Sequence, residues 1–430
     1  MKRKVVVFLL LTALVPGSAA TGGEGSAEQR IEQLERRIEI LAAELERLKQ
    51  EQALAEPAEA APAPPGHGHG SPFADQVAAA TRGRLSIGGY GEGSYEHVVG
   101  DGGGRSDRID LARLVLYLGY KFNDRLAFSS EIEFEHATTG EGAEEKGEVS
   151  VEFAQIDALF DPRLNLRAGL LLVPMGFLNE MHEPPFYHGN SRPDVERRII
   201  PTTWRANGAG IFGRFGERLS YRTYVVSSLD ATGFGSAGVR GGRQSGSKER
   251  AESFSWVGRL DYSPATGVTV GGSAYLGDQG QGRTIAGAKP SVFARLYEGH
   301  ASVRTHGFEL RGLAAVLNLD DAAALTTEIG EPIASRMVGY YGELAYDVLA
   351  LLAPDSDQYL APWVRYSRID TQDDMPAGVS ADRSQDTEII EVGLTYKPID
   401  RVALKLDLRS QNAPAADLPE QIRLGGGFEF

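Results

Sequence analysis

The chain has no cysteine among its 430 residues, and it has no apolar run long enough to cross a bilayer as a helix. Without cysteine there is no disulfide framework, no thiolate metal site and no thiol nucleophile. The clearest apolar run, residues 5–15, is about half as long as the roughly 20 residues that a spanning helix needs. The sequence therefore predicts neither stabilisation by disulfides nor a membrane-spanning helix.

The N-terminus has the pattern of a cleavable secretory signal. Lys2, Arg3 and Lys4 precede the apolar run, and small residues follow it up to Ala20, so we expect residues 1–20 to be removed on export. Loss of these three positive charges changes the formal net charge from −15 to −18 (−15 − 3). A chain this acidic disfavours a polyanionic partner, and we expect no nucleic-acid binding.

Residues 26–52 predict a periplasmic coiled coil. Arg30 and Glu35, and Glu44 and Lys49, occupy g and e positions that attract one another between parallel helices. This pattern leaves dimer and trimer open, and a single helix packed on the rim of a barrel is the alternative to self-association. The a and d positions of the heptad form the seam and are Ile31, Leu34, Ile38, Leu41, Leu45 and Leu48.

Residues 53–83 are rich in alanine, proline and glycine and show no periodicity, which is typical of a flexible linker. His67 and His69 lie between glycines in this segment. Two histidines in a flexible tether do not make a metal site, so none is predicted there.

From residue 84 to residue 430 the sequence changes to a period of two. In the stretch 126–136, Leu126, Phe128 and Phe134 alternate with polar or small residues. Short and long connections alternate along the chain, which predicts an all-β fold: a transmembrane antiparallel β-barrel of about 16 strands, with the short turns and both barrel ends in the periplasm. One short-side connection, residues 349–357, is longer than the others and is predicted to form a helical turn.

The last ten residues predict a strand with one face toward lipid and one toward water. Ile422, Leu424 and Phe428 share a face with Phe430, while Arg423 lies on the other. An amphipathic final strand that closes on an aromatic residue is typical of outer-membrane barrels. We expect Phe430 to act as a signal for the barrel assembly machinery, and the outward face to contact outer-membrane lipids.

The third long connection, residues 174–205, is too apolar for a solvated tail, although it contains five prolines. We expect it to fold into the lumen and narrow the pore, because a barrel of sixteen strands is wide enough to hold water. Its charged residues are expected to face the permeation path: Glu180, His182, Glu183, Arg192, Asp194, Glu196, Arg197 and Arg198.

The period of two also places basic residues on the lumen face. Carboxylates such as Glu131, Asp261 and Glu391 fall on the same face, so these cations either guide anions or pair with acidic neighbours. The predicted pore-lining cations are Arg113, Arg167, Arg214, Arg222, Arg259, Arg311, Arg365, Lys405, Arg409 and Arg423.

No pattern of an enzyme is present. The stretch from His182 to His188 lacks the helical spacing of a zinc hydrolase, and Pro184 with Pro185 excludes that helix. The sequence also shows no nucleophile with a partnered histidine. We therefore predict no catalytic residues, no metal and no cofactor.

Three stretches carry a family resemblance: VPMGFLNEMHEPP and RPDVERRIIPTTW in the long connection, and LAPWVRYSRIDTQ near residue 360. With the order of signal, coiled coil, linker and barrel, they resemble the phosphate-selective porin O/P family over almost the whole mature chain. The resemblance implies a homotrimer of sixteen-stranded pores, each narrowed by its third loop, for passive transport of small anions. In that family phosphate selectivity depends on lysines in the constriction and on a ladder of lumen arginines, and residues 174–205 contain no lysine.

We therefore expect a porin of the bacterial outer membrane that passes small hydrophilic solutes or ions, with a weak preference for anions and with phosphate as one candidate. The alternative is a structural tether, in which the coiled coil binds peptidoglycan or another periplasmic partner and the barrel is its anchor.

Overall fold

The computed structural model describes residues 83–99, 107–138, 147–416 and 418–430. Sixteen strands in these segments close an antiparallel barrel, in which each strand pairs with its neighbours in sequence and β1 pairs with β16. The predicted fold and strand number are thus confirmed. The predicted signal, coiled coil and linker lie outside the described residues, apart from Gly83.

The strands are β1 (Leu85–Val99), β2 (Arg108–Lys121), β3 (Leu126–Glu135), β4 (Val149–Asp161), β5 (Leu164–Leu172), β6 (Arg205–Phe215), β7 (Leu219–Ser227), β8 (Phe254–Ala265), β9 (Val268–Asp278), β10 (Phe293–Thr305), β11 (Phe308–Leu319), β12 (Arg336–Tyr346), β13 (Tyr359–Asp374), β14 (Asp386–Ile399), β15 (Val402–Asn412) and β16 (Glu420–Glu429). Within the described segments, three α-helices lie in connections: α1 (Val195–Arg198), α2 (Ala322–Ile329) and α3 (Leu349–Leu352). Short 3₁₀ helices are formed by Pro184–Phe186, Ala231–Gly233, Arg240–Gly242 and Arg383–Gln385. No helix among the described residues has the length and apolar character to span a membrane.

The barrel wall is apolar outside and charged inside. On β15, Leu404 and Leu406 are 52% and 43% exposed, whereas Lys405 and Asp407, which alternate with them, are 3% and 0% exposed. A strand in a water-soluble protein has the opposite arrangement, because its apolar face packs on the core. The outer surface is therefore suited to hydrocarbon.

The final strand follows its predicted faces. Leu424 and Phe428 are 56% and 44% exposed on the outer surface, and Arg423 is 5% exposed inside. Phe430 joins β1 through backbone hydrogen bonds in both directions with Gly89. These bonds help to close the barrel between its first and last strands.

Short and long connections alternate around the barrel, as predicted. At one end, pairs such as residues 162–163, 306–307 and 400–401 join strands directly, while at the other end residues 228–253 form a long loop. The predicted helical turn on the short side is confirmed as α3. The long-side helix α2 was not predicted.

Candidate functional site inside the barrel

The connection between β5 and β6, residues 173–204, is called the inserted loop. Its Glu183 accepts a 2.9 Å hydrogen bond from the Tyr117 hydroxyl of β2, and the backbone N–H of Gly176 donates to Glu298 of β10 at 3.3 Å. In the ring of sixteen strands β2 and β10 are eight positions apart, which puts them on opposite sides. The loop therefore lies across the interior of the barrel.

One part of the interior is a hydrophobic core that the inserted loop shares with the barrel wall and with the long connections. These long connections lie at the barrel end opposite the short turns and are called the outer loops. Ile199 and Trp204 of the loop are buried there with Phe234 of a long outer connection and Leu325 of α2. The Trp204 ring meets Tyr275 of β9 edge-on, with 4.5 Å between ring centroids. Burial of this apolar surface fixes the loop far more firmly than a few polar contacts would.

A buried ionic network holds another part of the loop. Arg365 contacts Glu343 and Glu391 at 2.5 and 2.9 Å, and Arg423 contacts Glu391 at 2.6 Å. Arg409 also contacts Glu391, at 3.3 Å. Three predicted pore-lining arginines thus share carboxylates from the wall, and little of their charge is free to act on a solute.

Other predicted pore-lining arginines are paired in the same way. Arg113 contacts Glu92 at 2.8 Å, and Arg167 contacts Asp157 at 2.7 Å. Asp261 also serves two of these arginines, Arg222 and Arg259. The alternative in which lumen cations pair with carboxylates thus describes most of this face.

Two of the remaining predicted cations bind the backbone of the inserted loop. Lys405 donates to the carbonyl oxygen of Gly189 at 2.9 Å, and Arg311 donates to that of Phe186 at 3.0 Å. Arg214 is exposed near the short-turn end of β6. A pore-lining role for these ten cations stays a prediction, but the structure gives most of them a partner that fixes the loop or the wall.

The expectation that every charged residue of the loop faces the permeation path is wrong for four of them. His182, Glu183, Asp194 and Glu196 are at most 5% exposed. Glu196, for example, accepts hydrogen bonds from the Leu178 N–H and the Tyr341 hydroxyl, both at 2.7 Å. A buried charge needs such partners, and here the loop backbone and the polar wall both supply them. Glu180 is partly buried and contacts Arg222 at 3.2 Å.

The remaining three loop residues belong to an outer arginine patch with two residues of the β7–β8 connection. Three guanidinium nitrogens of this patch have no hydrogen-bond partner among the described residues: Nε and Nη2 of Arg192 and Nη1 of Arg240. Burial lowers the pKa of Arg240, and the nearby guanidinium groups of Arg243, Arg197 and Arg192 lower it further. The patch consists of Arg192, Arg197, Arg198, Arg240 and Arg243.

Three members of the patch have polar partners, each of a different kind. Arg197 is about half exposed and contacts Asp194 at 2.5 Å, while Arg198 donates to the Gln385 side chain at 2.8 Å. Arg243 donates to the Thr203 carbonyl oxygen at 2.6 Å. Sequence reasoning missed Arg240 and Arg243 because they lie in a glycine-rich connection with no periodic signal.

Comparison with known proteins gives one relative and a set of similar folds. A protein of Aquifex aeolicus (strain VF5), described as an uncharacterized protein, is 37% identical over 349 residues, which are 78% of this chain and 77% of that protein. The chain belongs to the same family as this Aquifex protein. No family model matches the chain, so membership of the phosphate-selective porin O/P family stays a resemblance.

The similar solved structures are outer-membrane porins at low sequence identity. The outer membrane channel DcaP of Acinetobacter baumannii has a TM-score of 0.54 at 10% identity, covering 80% of this chain and 97% of that one. OmpF of Salmonella typhi gives 0.53 at 14% over the same shares. An anion-selective porin from Comamonas acidovorans gives 0.52 at 14%, covering 80% and 99%. These similarities show that this chain has the porin fold.

Proposed function

We propose that the protein is an outer-membrane porin through which small hydrophilic solutes or ions diffuse passively. The observation that carries this proposal is the loop of more than thirty residues that crosses the interior of a sixteen-stranded barrel. Such a barrel without an inserted segment leaves a wide aqueous lumen. A loop fixed inside it limits the size of what passes and leaves the wall unchanged.

We further propose that the outer arginine patch gives the pore a weak preference for anions. The wall cations are largely paired, whereas Arg192 and Arg240 keep buried guanidinium nitrogens that have no hydrogen-bond partner among the described residues. Positive charge beside a path with low-dielectric walls raises the local concentration of anions. Phosphate remains one candidate solute, although the loop has no lysine.

We propose a homotrimer in the membrane, with the coiled coil of residues 26–52 in the periplasm. One solved structure with a similar fold, OmpT of Vibrio cholerae, is described as a trimer form. The heptad pattern is compatible with that number. Binding of the coiled coil to peptidoglycan, and recognition of the last strand by the barrel assembly machinery, are separate proposals that rest on the sequence.

Planar-bilayer recording on the purified full-length protein tests the pore. We expect stepwise channel currents, and a reversal potential under a KCl gradient that indicates weak anion preference. The double variant Arg240→Glu, Arg243→Glu should move the reversal potential toward cation preference. Arg163→Glu, in an exposed short turn, is the matched control and should leave it unchanged.

Two results would count against these proposals. Absence of channel current from correctly folded protein would favour the tether instead of the pore. An unchanged reversal potential in the double variant would show that the arginine patch does not face the path of the ions.

A further inference from the structure

Three ionisable side chains meet where the inserted loop contacts β3 and β4. Nε2 of His182 lies 3.3 Å from Oε1 of Glu131 and 3.4 Å from Oε2 of Glu152. One such atom from each residue lies within 4.8 Å of the other two. The side chains of His182, Glu131 and Glu152 are 2%, 2% and 0% exposed. Residues from three segments therefore converge on one small buried volume.

A β-bulge brings Glu152 into this cluster. Glu131 pairs with Phe153 and Ile132 pairs with Val151, which makes Glu152 the extra residue of β4. Val151 is 42% exposed on the outer surface, whereas Glu152 is fully buried. A bulge re-aims a side chain in this way, and here it adds a second carboxylate beside His182.

The distances fit metal coordination better than an ion pair. A charge-assisted N–H···O bond is usually about 2.7–2.9 Å long, and a single Nε2–H shared between two carboxylates is well aligned with neither of them. Ligand atoms on a tetrahedral zinc ion, with bonds of about 2.0–2.2 Å, lie about 3.3–3.6 Å apart. The two contacts of His182, at 3.3 and 3.4 Å, are in that range.

A second buried histidine gives an internal comparison. Nε2 of His300 lies 2.9 Å from Asp261, and its Nδ1 lies 2.9 Å from Glu298. Each nitrogen thus faces one carboxylate at the length of an ordinary ion pair. His182 differs because one nitrogen faces two carboxylates at longer range.

The cluster also leaves a carboxylate oxygen in need of a positive partner. Oε1 of Glu152 accepts a 3.1 Å hydrogen bond from Arg205, but its Oε2, which faces His182, has no hydrogen-bond donor among the described residues. Glu133 lies close enough to hydrogen-bond the Glu152 side chain. The guanidinium of Arg192 is near His182, yet its Nε and Nη2 donate to no acceptor in the described part of the chain. A buried carboxylate oxygen that accepts no hydrogen bond is costly unless a cation, or a proton shared with a neighbour such as Glu133, occupies its lone pair.

We propose that Glu131, Glu152 and His182 bind one divalent transition-metal ion of the zinc class, which fastens the inserted loop to the barrel wall. One imidazole nitrogen with two carboxylate oxygens suits Zn²⁺, whereas Ca²⁺ and Mg²⁺ favour sites made of oxygen ligands alone. Three protein ligands leave a fourth position for water. The proposal does not depend on what passes through the pore.

Zinc titration of the full-length protein without an affinity tag tests this site. Every protein in this test carries His67→Ala and His69→Ala, because these linker histidines would bind zinc themselves. This double variant is the background protein. After dialysis against a chelator, calorimetric titration with ZnCl₂ should show one ion per chain. Glu152→Gln and His182→Gln should each weaken binding by more than about 100-fold, which exceeds the effect of losing an outer partner of a ligand.

His300→Gln is the matched control and should bind zinc like the background protein. Migration in SDS without heating verifies that each variant is folded, and Glu131→Gln replaces any variant that is not. X-ray absorption of the zinc form should show one imidazole nitrogen, with oxygens at about 2.0–2.2 Å.

Either of two results would overturn the proposal. One is absence of zinc binding by the folded background protein, which would leave His182 with its hydrogen bond to Glu131 alone. The other is zinc binding that survives both Glu152→Gln and His182→Gln. Neither result bears on conduction, which the bilayer recordings measure separately.

Discussion

Arg365 of β13 donates a 2.7 Å hydrogen bond from Nη2 to the carbonyl oxygen of His188 in the inserted loop. The same guanidinium contacts Glu343 of β12 and Glu391 of β14, and its side chain is fully buried. One arginine thus joins three adjacent strands to the backbone of the loop. A planar guanidinium with five donors makes four hydrogen bonds to these residues together, whereas a lysine ammonium has only three donors and no planar fork.

Substitution Arg365→Met should strongly destabilise the folded protein. It removes the basic residue that contacts Glu343 and leaves that carboxylate buried, a change that costs about 3–5 kcal/mol. The free energy of unfolding, measured by denaturant titration in detergent micelles with tryptophan fluorescence, gives the loss.

Arg368→Met is the control for this variant. Arg368 lies three positions further along β13 and pairs with Asp386 on the exposed side, with side-chain exposures of 44% and 28%. An exposed pair contributes about 0–1 kcal/mol. Equal losses in the two variants would show that Arg365 is not buried as described.

Asp194 should make the stability of the folded protein depend on pH. It precedes α1 and contacts Arg409 and Arg197. Burial alone would raise the pKa of this carboxyl, but the two arginines outweigh burial and lower the pKa from 3.8 to about 2. Because the folded value is the lower one, the stabilisation is complete above the unfolded pKa and is lost as pH falls through about 2.

Asp194→Asn should therefore lower the free energy of unfolding by the same amount at pH 7 and pH 5. The difference between wild type and variant should shrink only below about pH 4. Denaturant titrations at pH 7, 5 and 3 measure it. A difference that already disappears between pH 7 and pH 5 would mean that Asp194 is not held ionised by Arg409.

The third prediction concerns the coiled coil, which lies outside the described residues. A peptide of residues 26–52 should self-associate, and Ile38→Asn with Leu41→Asn should weaken that association because both residues lie in the seam. Arg36→Asn, at an outer position of the heptad, should have little effect. Sedimentation equilibrium gives the oligomer size, and a wild-type peptide that stays monomeric at high concentration would contradict the prediction.

The strands could be predicted because lipid on one side and water on the other impose a strict period of two. Leu404 and Lys405 show this: each residue's face follows from its neighbours, without knowledge of any distant contact. The inserted loop could also be predicted, since its prolines and apolar residues fit neither a strand nor a solvated tail.

What could not be predicted are the partners of the charges, because they come from distant segments. The alternation places Arg365 in the lumen, but it does not show that a loop carbonyl and two carboxylates bury it. Glu152 reaches the cluster around His182 only through a bulge, which shifts the register by one residue and leaves no mark in the sequence. Arg240 joins the arginine patch from a loop without periodicity.

The single-channel conductance of a variant in which a short glycine linker replaces residues 181–193 tests directly whether the inserted loop narrows the pore. If the inserted loop narrows the lumen, this variant should conduct several times more current per channel than the wild type. The same replacement by a glycine linker at residues 376–380, in the connection between β13 and β14, should leave the conductance unchanged. If wild type and loop variant are both folded and have equal conductance, the inserted loop does not narrow the pore.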